Sequence, residues 1–483
     1  MKKIITFFTK PKIQFITILI FASFGMFAKL GITELQPMGS ATHAAVAREI
    51  LRTNDWLTLH WPFVGEFYQF PPLFFWLQAI TFKIFGISDL TAKLTSSFFG
   101  FMVILITYYL GKLLVDDYTG FLSSMTLILT PYFFRHSRKC ELETILIFFI
   151  TLGIIFFVLS EQKNNNKFLL LTGLSTGLGF LAKGPPAFAV WGTIFIYYII
   201  TKQYKKLFNF YFIVGILISI LVPFTWIIPQ IIYRGDAFYK GFVINQVLGK
   251  IYGGDRPATT FVEKILNYTF FFRAFYSHYL PWSITGIFGI VKIFKKNLKN
   301  LYVLVIWVIV VWIGFTLPGY KDDYYLLAMF PGWAVINGFI FKYWTEKISK
   351  QIYFYSSILA ITFVVVTIFT PIKFDKVRNP EFKILSQHIK QVVPSDQRII
   401  TYNLYPYDMM SLFPWYMDRG VVPLNTEKEL LQLVSSSETK FVFMKIEDYK
   451  NLSSNILLHP VFYCGRFVFA SNIKISEPKI INL

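Results

Sequence analysis

The chain has 483 residues, of which 55% are hydrophobic and 15% charged, and its mean hydropathy is +0.52. An ordinary soluble domain carries about 25% charged residues, so the composition excludes that class and indicates a protein that faces lipid. The formal net charge of +20 comes from lysines and arginines in short clusters between apolar runs, a pattern that is typical of membrane loops and excludes nucleic acid as a partner.

Apolar runs long enough to cross a bilayer recur along the first three quarters of the chain. Because one crossing takes roughly 20 mostly apolar residues, we predict a polytopic α-helical membrane protein with about 11–13 transmembrane helices. The first run follows several lysines, but no convincing cleavage site follows it, so we expect a retained helix and not a signal peptide. The runs lie near residues 13–32, 92–115, 119–134, 144–160, 168–182, 186–201, 207–231, 268–291, 301–317, 325–341 and 352–371.

The basic clusters between these runs set the expected orientation. With the N-terminus in the cytoplasm, every such cluster lies on the cytoplasmic side, as the positive-inside rule requires. These clusters are at Lys112, 163–167, 202–206, 292–299 and 342–350. The same orientation places four other stretches on the outer side, namely 33–90, 135–143, 232–266 and 318–323.

The hydropathy falls after about Pro371. Strand-like runs at 398–402 and 440–444 then alternate with helix-like runs at 380–392 and 426–434. We therefore predict two domains, a transmembrane domain over residues 1–371 and a small extracytoplasmic α/β domain over residues 372–483.

The first outer stretch predicts two helices. Ala44, Ala47 and Leu51 share one helical face with His43 off it, which indicates an amphipathic helix at the membrane interface. An aromatic-rich helix follows the extended turn at Pro71-Pro72. Simple anchoring at the headgroup boundary remains an alternative role for both helices.

Charged residues gather between two of the predicted spans. Arg135, Arg138, Glu141 and Glu143 lie there, and ionisable groups near bilayer depth are costly enough to indicate a functional site. A solvated loop with internal ion pairs is the alternative.

Two lysine motifs lie on the same expected side. Lys183 precedes Gly184-Pro185-Pro186 at the end of a span, where its ammonium can meet a phosphate or simply reach the interface. Lys321 opens the run Lys321-Asp322-Asp323-Tyr324-Tyr325-Leu326-Leu327, which by itself predicts only a turn.

In this order, the segments resemble the GT-C superfamily of membrane glycosyltransferases, specifically the bacterial branch related to lipid A aminoarabinose transferase and the protein O-mannosyltransferases. The resemblance covers about residues 13–345. The matching pieces are Ala44 to Leu51 with Asp55-Trp56, Pro71-Pro72-Leu73 with Trp76, Arg138 with Glu143 and Leu146, Lys183-Gly184-Pro185, Pro281-Trp282, and Lys321 with Tyr324-Tyr325-Leu326-Leu327 and Pro331.

The resemblance implies an enzyme of the bacterial inner membrane that moves a sugar from a polyprenyl-phosphate donor to an envelope glycolipid, polysaccharide or protein on the outer face. It assigns the donor phosphate to Lys183, Lys321, Tyr325 and Arg138, because positioned cations stabilise the charge of the leaving phosphate. It leaves open whether a divalent metal takes part.

The chain departs from the family at three positions. Gly39 stands where an acidic residue, usually the catalytic base, is expected; Phe70 stands where the aminoarabinose branch usually has lysine; and Glu143 replaces an aspartate. We expect Glu143 to act as base or metal ligand, since it accepts a proton as aspartate does. Its expected partners are Glu141, His43, Glu34 and Asp322.

Two other functional classes stay open. A transporter would carry charged residues within its spans and a path open to each face in turn, whereas here the charges stay near one face. A non-catalytic protein that binds polyprenyl phosphate is suggested by Gly39. A carboxylate within about 5 Å of Lys183 would argue against that class, because opposite charges so close favour an ionised, working pair.

Overall fold

The computed structural model describes residues 10–252, 260–369 and 381–481, and most of them are helical. The α-helices before the second gap are α1 Pro11–Phe27, α2 Gly39–Thr53, α3 Leu73–Phe85, α4 Asp89–Leu114, α5 Asp117–Ile128, α6 Pro131–Ser137, α7 Glu143–Gln162, α8 Phe168–Lys183, α9 Ala189–Ile200, α10 Phe210–Phe238, α11 Gly249–Tyr252, α12 Phe261–Tyr268, α13 Phe270–His278, α14 Trp282–Lys295, α15 Tyr302–Thr316, α16 Phe330–Thr345 and α17 Ser349–Phe369. Short 3₁₀ segments are Pro185–Phe188, Tyr204–Phe208, Lys299–Leu301, Asp323–Met329 and Glu346–Ile348, and Tyr239–Leu248 is π-helical.

The C-terminal part mixes helices with strands. Its helices are α18 Glu381–Val392, α19 Pro406–Leu412, α20 Glu427–Val434 and α21 Ile446–Lys450, with a π-helical turn at Phe413–Met417. A short hairpin earlier in the chain is formed by β1 His60–Trp61 and β2 Gly65–Glu66. The remaining strands are β3 Ile399–Tyr402, β4 Val421–Leu424, β5 Phe441–Lys445, β6 His459–Cys464, β7 Phe467–Ser471 and β8 Lys479–Ile481.

The chain folds into two compact units. The first comprises Met1–Leu30, Tyr68–Leu77 and Lys93–Phe374, and the second comprises Gly31–Phe67, Gln78–Ala92 and Asp375–Leu483. The second unit thus contains the predicted C-terminal α/β fold and also two segments of the first outer stretch. The domain boundary that we predict at 371/372 lies outside the described residues.

The predicted fold class, a polytopic helical membrane protein with a small C-terminal α/β domain, is confirmed. Among the described residues, five helices are long and apolar enough to cross a membrane, namely Asp89–Leu114, Glu143–Gln162, Phe210–Tyr252, Lys299–Thr316 and Asp323–Thr345. Shorter apolar helices accompany them at Pro11–Phe27, Leu73–Phe85, Phe168–Lys183 and Pro185–Ile200. The protein is therefore a multi-pass membrane protein.

Prolines divide two of the predicted spans. The run at 268–291 is broken into α13 and α14 around Pro281, and the run at 119–134 ends as α5 before Pro131 begins α6. Proline lacks a backbone N–H and its ring clashes with the preceding turn, so it starts a helix more readily than it continues one. These two apolar runs are therefore not single straight helices.

The C-terminal sheet has six strands in the order β4-β3-β5-β7-β6-β8. Strands β3, β4 and β5 are parallel, whereas β7 runs antiparallel to both β5 and β6. On β5, Phe443 packs against Phe382 of α18, while the next residues on the opposite face, Val442 and Met444, belong to a core with Leu430 of α20. This alternation is what places helices on both faces of the sheet.

Helix α2, the first of the two helices predicted in the first outer stretch, belongs to the second unit, where it packs against the segment Pro406–Met417. Most of its residues are buried. The guanidinium of Arg48 donates to the carbonyls of Pro414 and Trp415 and pairs with Asp418 at 2.9 Å. The predicted helix therefore exists, and C-terminal residues of its own unit cover it.

Candidate active site

A buried ion pair joins two of the predicted site residues. The Nζ of Lys183 donates to Oε1 of Glu143, and each side chain is 8% exposed. Glu143 is the first residue of α7, where a carboxylate meets the positive end of the helix dipole. Lys183 is the last residue of α8, which stops because Gly184 takes φ 107° and ψ −153°, a conformation essentially restricted to glycine.

Two tyrosine rings cover the same ammonium. The Nζ of Lys183 lies 4.7 Å from the ring centre of Tyr324 and 5.1 Å from that of Tyr325. The hydroxyl of Tyr324 in turn donates to Oδ2 of Asp322 at 2.7 Å. The KDDYYLL motif that looks like a simple turn in the sequence thus forms one wall around Lys183.

A cavity of about 480 Å³ opens beside this cluster. Its lining is largely apolar, with Pro185, Phe242, Val310 and Phe315 among the wall residues. Lys183 and Lys250, with cationic side chains, and Tyr325, with a phenolic one, are among the residues that line it. A mostly apolar cavity with a few convergent polar groups is the usual form of a small-molecule site, and this one suits a ligand with an apolar body and an anionic head.

Lys250 is a site residue that the sequence analysis missed. Its carbonyl accepts a hydrogen bond from Tyr320 N at 3.1 Å, and the carbonyl of the next residue, Ile251, accepts one from Gly319 N at 2.8 Å. Its Nζ lies 5.0 Å from the ring centre of Phe70, the position where the resemblance leads one to expect lysine. The absence of lysine at position 70 is the one feature of the sequence that could have pointed to Lys250, because a site that lacks one cation needs another in its place.

Two other predicted phosphate ligands contact backbone carbonyls. The fully buried guanidinium of Arg138 donates to the carbonyls of Gly25, Met26 and Ala28 at 2.8–3.2 Å, at the end of α1. The Nζ of Lys321 donates to the carbonyls of Thr316 and Pro318 at 2.7 and 2.5 Å, at the end of α15, and burial lowers the pKa of this ammonium. In these positions both cations close helix ends.

A chain of polar side chains extends from Glu141, a predicted catalytic partner of Glu143. The Oε2 of Glu141 lies 2.7 Å from Nδ1 of His136, and the ring of His136 is 4.5 Å from that of Tyr132. Tyr132 stacks on His278 at 4.3 Å, and Nε2 of His278 is 3.1 Å from Oδ2 of Asp323. Asp323 belongs to the predicted 321–327 motif, but His278 did not stand out in the sequence, because a lone histidine next to aromatic residues matches many structural positions.

His43, the remaining predicted catalytic residue, lies in α2 of the second unit and is 7% exposed. A Cβ built on Gly39 would lie 3.9 Å from Cε1 of His43, an ordinary contact, so a side chain fits at position 39. In the described ranges 10–252, 260–369 and 381–481, no three histidine, cysteine, aspartate or glutamate side chains are grouped so that they could hold a metal ion. The roles predicted for these residues stay predictions.

Comparison with known proteins gives matches in sequence and in structure. Residues 69–228 match the family described as dolichyl-phosphate-mannose-protein mannosyltransferase. An uncharacterised protein of Aquifex aeolicus is 28% identical over 340 residues, which cover 69% of this chain and 75% of that protein. Undecaprenyl phosphate-alpha-4-amino-4-deoxy-L-arabinose arabinosyl transferase of Wigglesworthia glossinidia brevipalpis is 24% identical over 330 residues, which cover 66% of this chain and 57% of the enzyme.

Among solved structures, ArnT from Cupriavidus metallidurans bound to undecaprenyl phosphate superposes with a TM-score of 0.76 at 13% identity, covering 95% of this chain and 98% of that one. The chain has the GT-C fold. The resemblance to GT-C membrane glycosyltransferases that the ordered motifs indicate is thereby confirmed.

The structural match covers more of the compared proteins than the sequence match does. The structural match spans nearly the whole chain, whereas the alignment with the arabinosyl transferase covers less than two thirds of that enzyme. A second Aquifex aeolicus protein, 23% identical over 326 residues, is likewise covered over 63% of its length. The shared fold therefore identifies the architecture, and the activity of this chain has to be argued from its own site.

Proposed function

We propose that this protein is a glycosyltransferase that takes a sugar from a polyprenyl-phosphate-linked donor and transfers it to a glycolipid, polysaccharide or protein of the bacterial envelope. We infer the orientation that the basic clusters predict, with the N-terminus in the cytoplasm and both the site and the C-terminal domain on the outer face. A lipid-linked donor suits such an enzyme, because the donor already resides in the membrane.

The observation that carries this proposal is the cavity beside Lys183. Its walls are largely apolar, yet two lysines, Lys183 and Lys250, are among the residues that line it. A polyprenyl phosphate has the matching chemistry, an apolar chain with an anionic head. The structural neighbour from Cupriavidus metallidurans is described as bound to undecaprenyl phosphate, which supports the same class of ligand here.

Lys250 has a specific part in this proposal. In the aminoarabinose branch a lysine is usual at the position of Phe70, and in this chain the Lys250 ammonium lies 5.0 Å from the Phe70 ring. We infer that Lys250 supplies the positive charge which position 70 no longer provides. The charge of Lys183 is already balanced by its counter-ion Glu143, and in this proposal Lys250 supplies the positive charge that balances the donor phosphate.

The proposed chemistry uses these cations at the leaving group. When the bond between the sugar C1 and the phosphate oxygen breaks, negative charge grows on the phosphate. Fixed ammonium groups stabilise that charge most where water is scarce, and the largely apolar cavity provides such a setting. The Tyr325 hydroxyl is the further donor that we assign to the same phosphate.

The non-catalytic alternative rests on Gly39. The direct contact between Lys183 and Glu143 argues against it, because it puts a carboxylate far closer to the lysine than the limit of about 5 Å set above. We therefore favour the enzyme.

The ligand part of the proposal is tested by binding of undecaprenyl phosphate to the purified protein. Lys250→Met should raise Kd roughly 10–100-fold, since one hydrogen bond to a charged group is worth about 1.5–3 kcal/mol. Lys205→Met is the matched control, because Lys205 is exposed on the 3₁₀ segment Tyr204–Phe208 and should leave Kd unchanged. Equal loss in both variants would mean that overall charge, and not the cavity, attracts the lipid.

The activity is tested by mass spectrometry of envelope glycolipids and glycoproteins from a strain that lacks the gene. The proposal requires that one sugar increment disappears and that the wild-type chain restores it. If the envelope is unchanged while the purified protein still binds undecaprenyl phosphate, the chain is a lipid-binding protein and the proposed activity is wrong.

A further inference from the structure

Three of the carboxylates that the sequence offers for the site lie in the first unit, and all three already have partners. Glu143 binds the ammonium of Lys183. Glu141 lies 2.7 Å from His136 and 3.4 Å from Lys139, and Asp322 accepts a hydrogen bond from Tyr324. A carboxylate that holds a cation is a poor proton acceptor, because protonation would break the pair.

The pair formed by His278 and Asp323 is more accessible. Their side chains are 32% and 41% exposed, against 8% for Glu143. Since Nε2 of His278 faces the Asp323 carboxylate at 3.1 Å, a proton on Nε2 leaves Nδ1 with a free lone pair. This is the arrangement in which a carboxylate orients an imidazole as a general base.

The pair adjoins the groups around Lys183. Asp323 directly precedes Tyr324, whose ring lies 4.7 Å from the Lys183 ammonium. On the other side, the ring of His278 is held by stacking on Tyr132. The charged and titratable groups that surround this stack are Arg135, 5.5 Å from the Tyr132 ring centre, His136, Glu141 and Asp323.

We propose that His278, oriented by Asp323, is the general base that deprotonates the acceptor hydroxyl and so replaces the acid missing at Gly39. This inference rests on the proposed glycosyltransferase function. The acceptor O–H proton passes to Nδ1 of His278, and the acceptor oxygen forms a bond to the sugar C1. The bond from C1 to the phosphate oxygen breaks, and the polyprenyl phosphate leaves with the electron pair.

The test uses membranes from the gene-deletion strain, which contain both donor and acceptor without either having to be identified. Purified variants are added, and the sugar increment is followed over time by mass spectrometry. His278→Gln should lower the rate at least about 100-fold, the usual lower bound for a general base. Asp323→Asn should lower it less, because the imidazole remains.

Two measurements separate a base from a structural residue. His278→Gln should bind undecaprenyl phosphate as the wild type does, and added imidazole should restore part of the rate of His278→Gly. The wild-type rate should fall at acidic pH, where a protonated imidazole cannot accept a proton, and His278→Gln should lose that dependence. The control His388→Gln changes a half-buried histidine of α18 and should keep the wild-type rate.

The outcomes are distinct. A His278→Gln rate near that of the wild type overturns the inference and leaves the proposed function standing. Lost activity with lost lipid binding and no rescue by imidazole also overturns it, because the residue would then be structural. If the wild-type protein itself adds no sugar, the proposed function fails first.

Discussion

Removing the charge of Glu143 should destabilise the first unit, because Lys183 would keep a buried ammonium without its counter-ion. Both side chains are 8% exposed, and breaking a buried ion pair by removing one partner costs about 3–5 kcal/mol. The rings of Tyr324 and Tyr325 stay beside the ammonium, and a desolvated cation–π contact contributes up to about 2 kcal/mol. We therefore expect Glu143→Gln to lower the free energy of unfolding by about 3 kcal/mol, the lower end of that range.

The measurement is unfolding of the purified protein in mixed micelles of increasing SDS content, followed by tryptophan fluorescence. The double variant Glu143→Gln, Lys183→Met should return to within about 2 kcal/mol of the wild type, because no unpaired charge remains. Glu438→Gln is the control, since its pair with Lys440 involves a carboxylate that is 77% exposed, and it should change stability by less than about 1 kcal/mol. A single variant as stable as this control, or a double variant less stable than Glu143→Gln, would refute the reasoning.

Three further predictions concern other parts of the chain. Arg138→Met should lower the free energy of unfolding by about 3 kcal/mol in the same titration, because it leaves buried carbonyls at the end of α1 without donors. Gly39→Asp should raise it by about 0.5–1 kcal/mol, since a carboxylate in the first turn of α2 meets the positive helix end and a new Cβ would lie at an ordinary contact distance, 3.9 Å, from Cε1 of His43; a melting temperature below that of the wild type would contradict this. Burial raises the pKa of Asp55, but hydrogen bonds from Thr58 and His60 more than offset it and lower the pKa below its ordinary value. The stabilisation is therefore complete above the unfolded carboxyl pKa of about 3.9 and is lost as pH falls below it, so amide exchange at Thr58, corrected for its intrinsic pH dependence, should accelerate at acidic pH in the wild type but not in Asp55→Asn.

The sequence predicts the architecture well because two signals are local. Long apolar runs mark the helices, and the fall in hydropathy after about Pro371 marks the change to strands such as Ile399–Tyr402 and Phe441–Lys445. The helix breaks at Pro131 and Pro281 are not predicted from hydropathy, because the residues on both sides of each proline are apolar and together look like one continuous span.

In the candidate site, too, the residues that belong to local motifs are predicted and the others are not. Lys183 and Tyr325 could be predicted as neighbours because both belong to ordered motifs, and the structure puts the ammonium 5.1 Å from the ring. The positions of Lys250 and His278 could not be predicted, since their contacts join segments far apart in the chain and neither residue belongs to a recognisable motif. Arg138 does belong to a motif, but the motif does not determine its role, because a buried arginine there can bind a phosphate or close a helix end.

The composition of the second unit has a consequence for biosynthesis. Helix α2, near the start of the chain, is covered by Pro406–Met417, more than 350 residues later. A ribosome therefore completes nearly the whole polypeptide before this early helix can gain its contacts with Pro406–Met417. A product that terminates before residue 406 lacks the segment that covers α2, so residues 39–53 should be cleaved by added protease faster in that product than in the full chain.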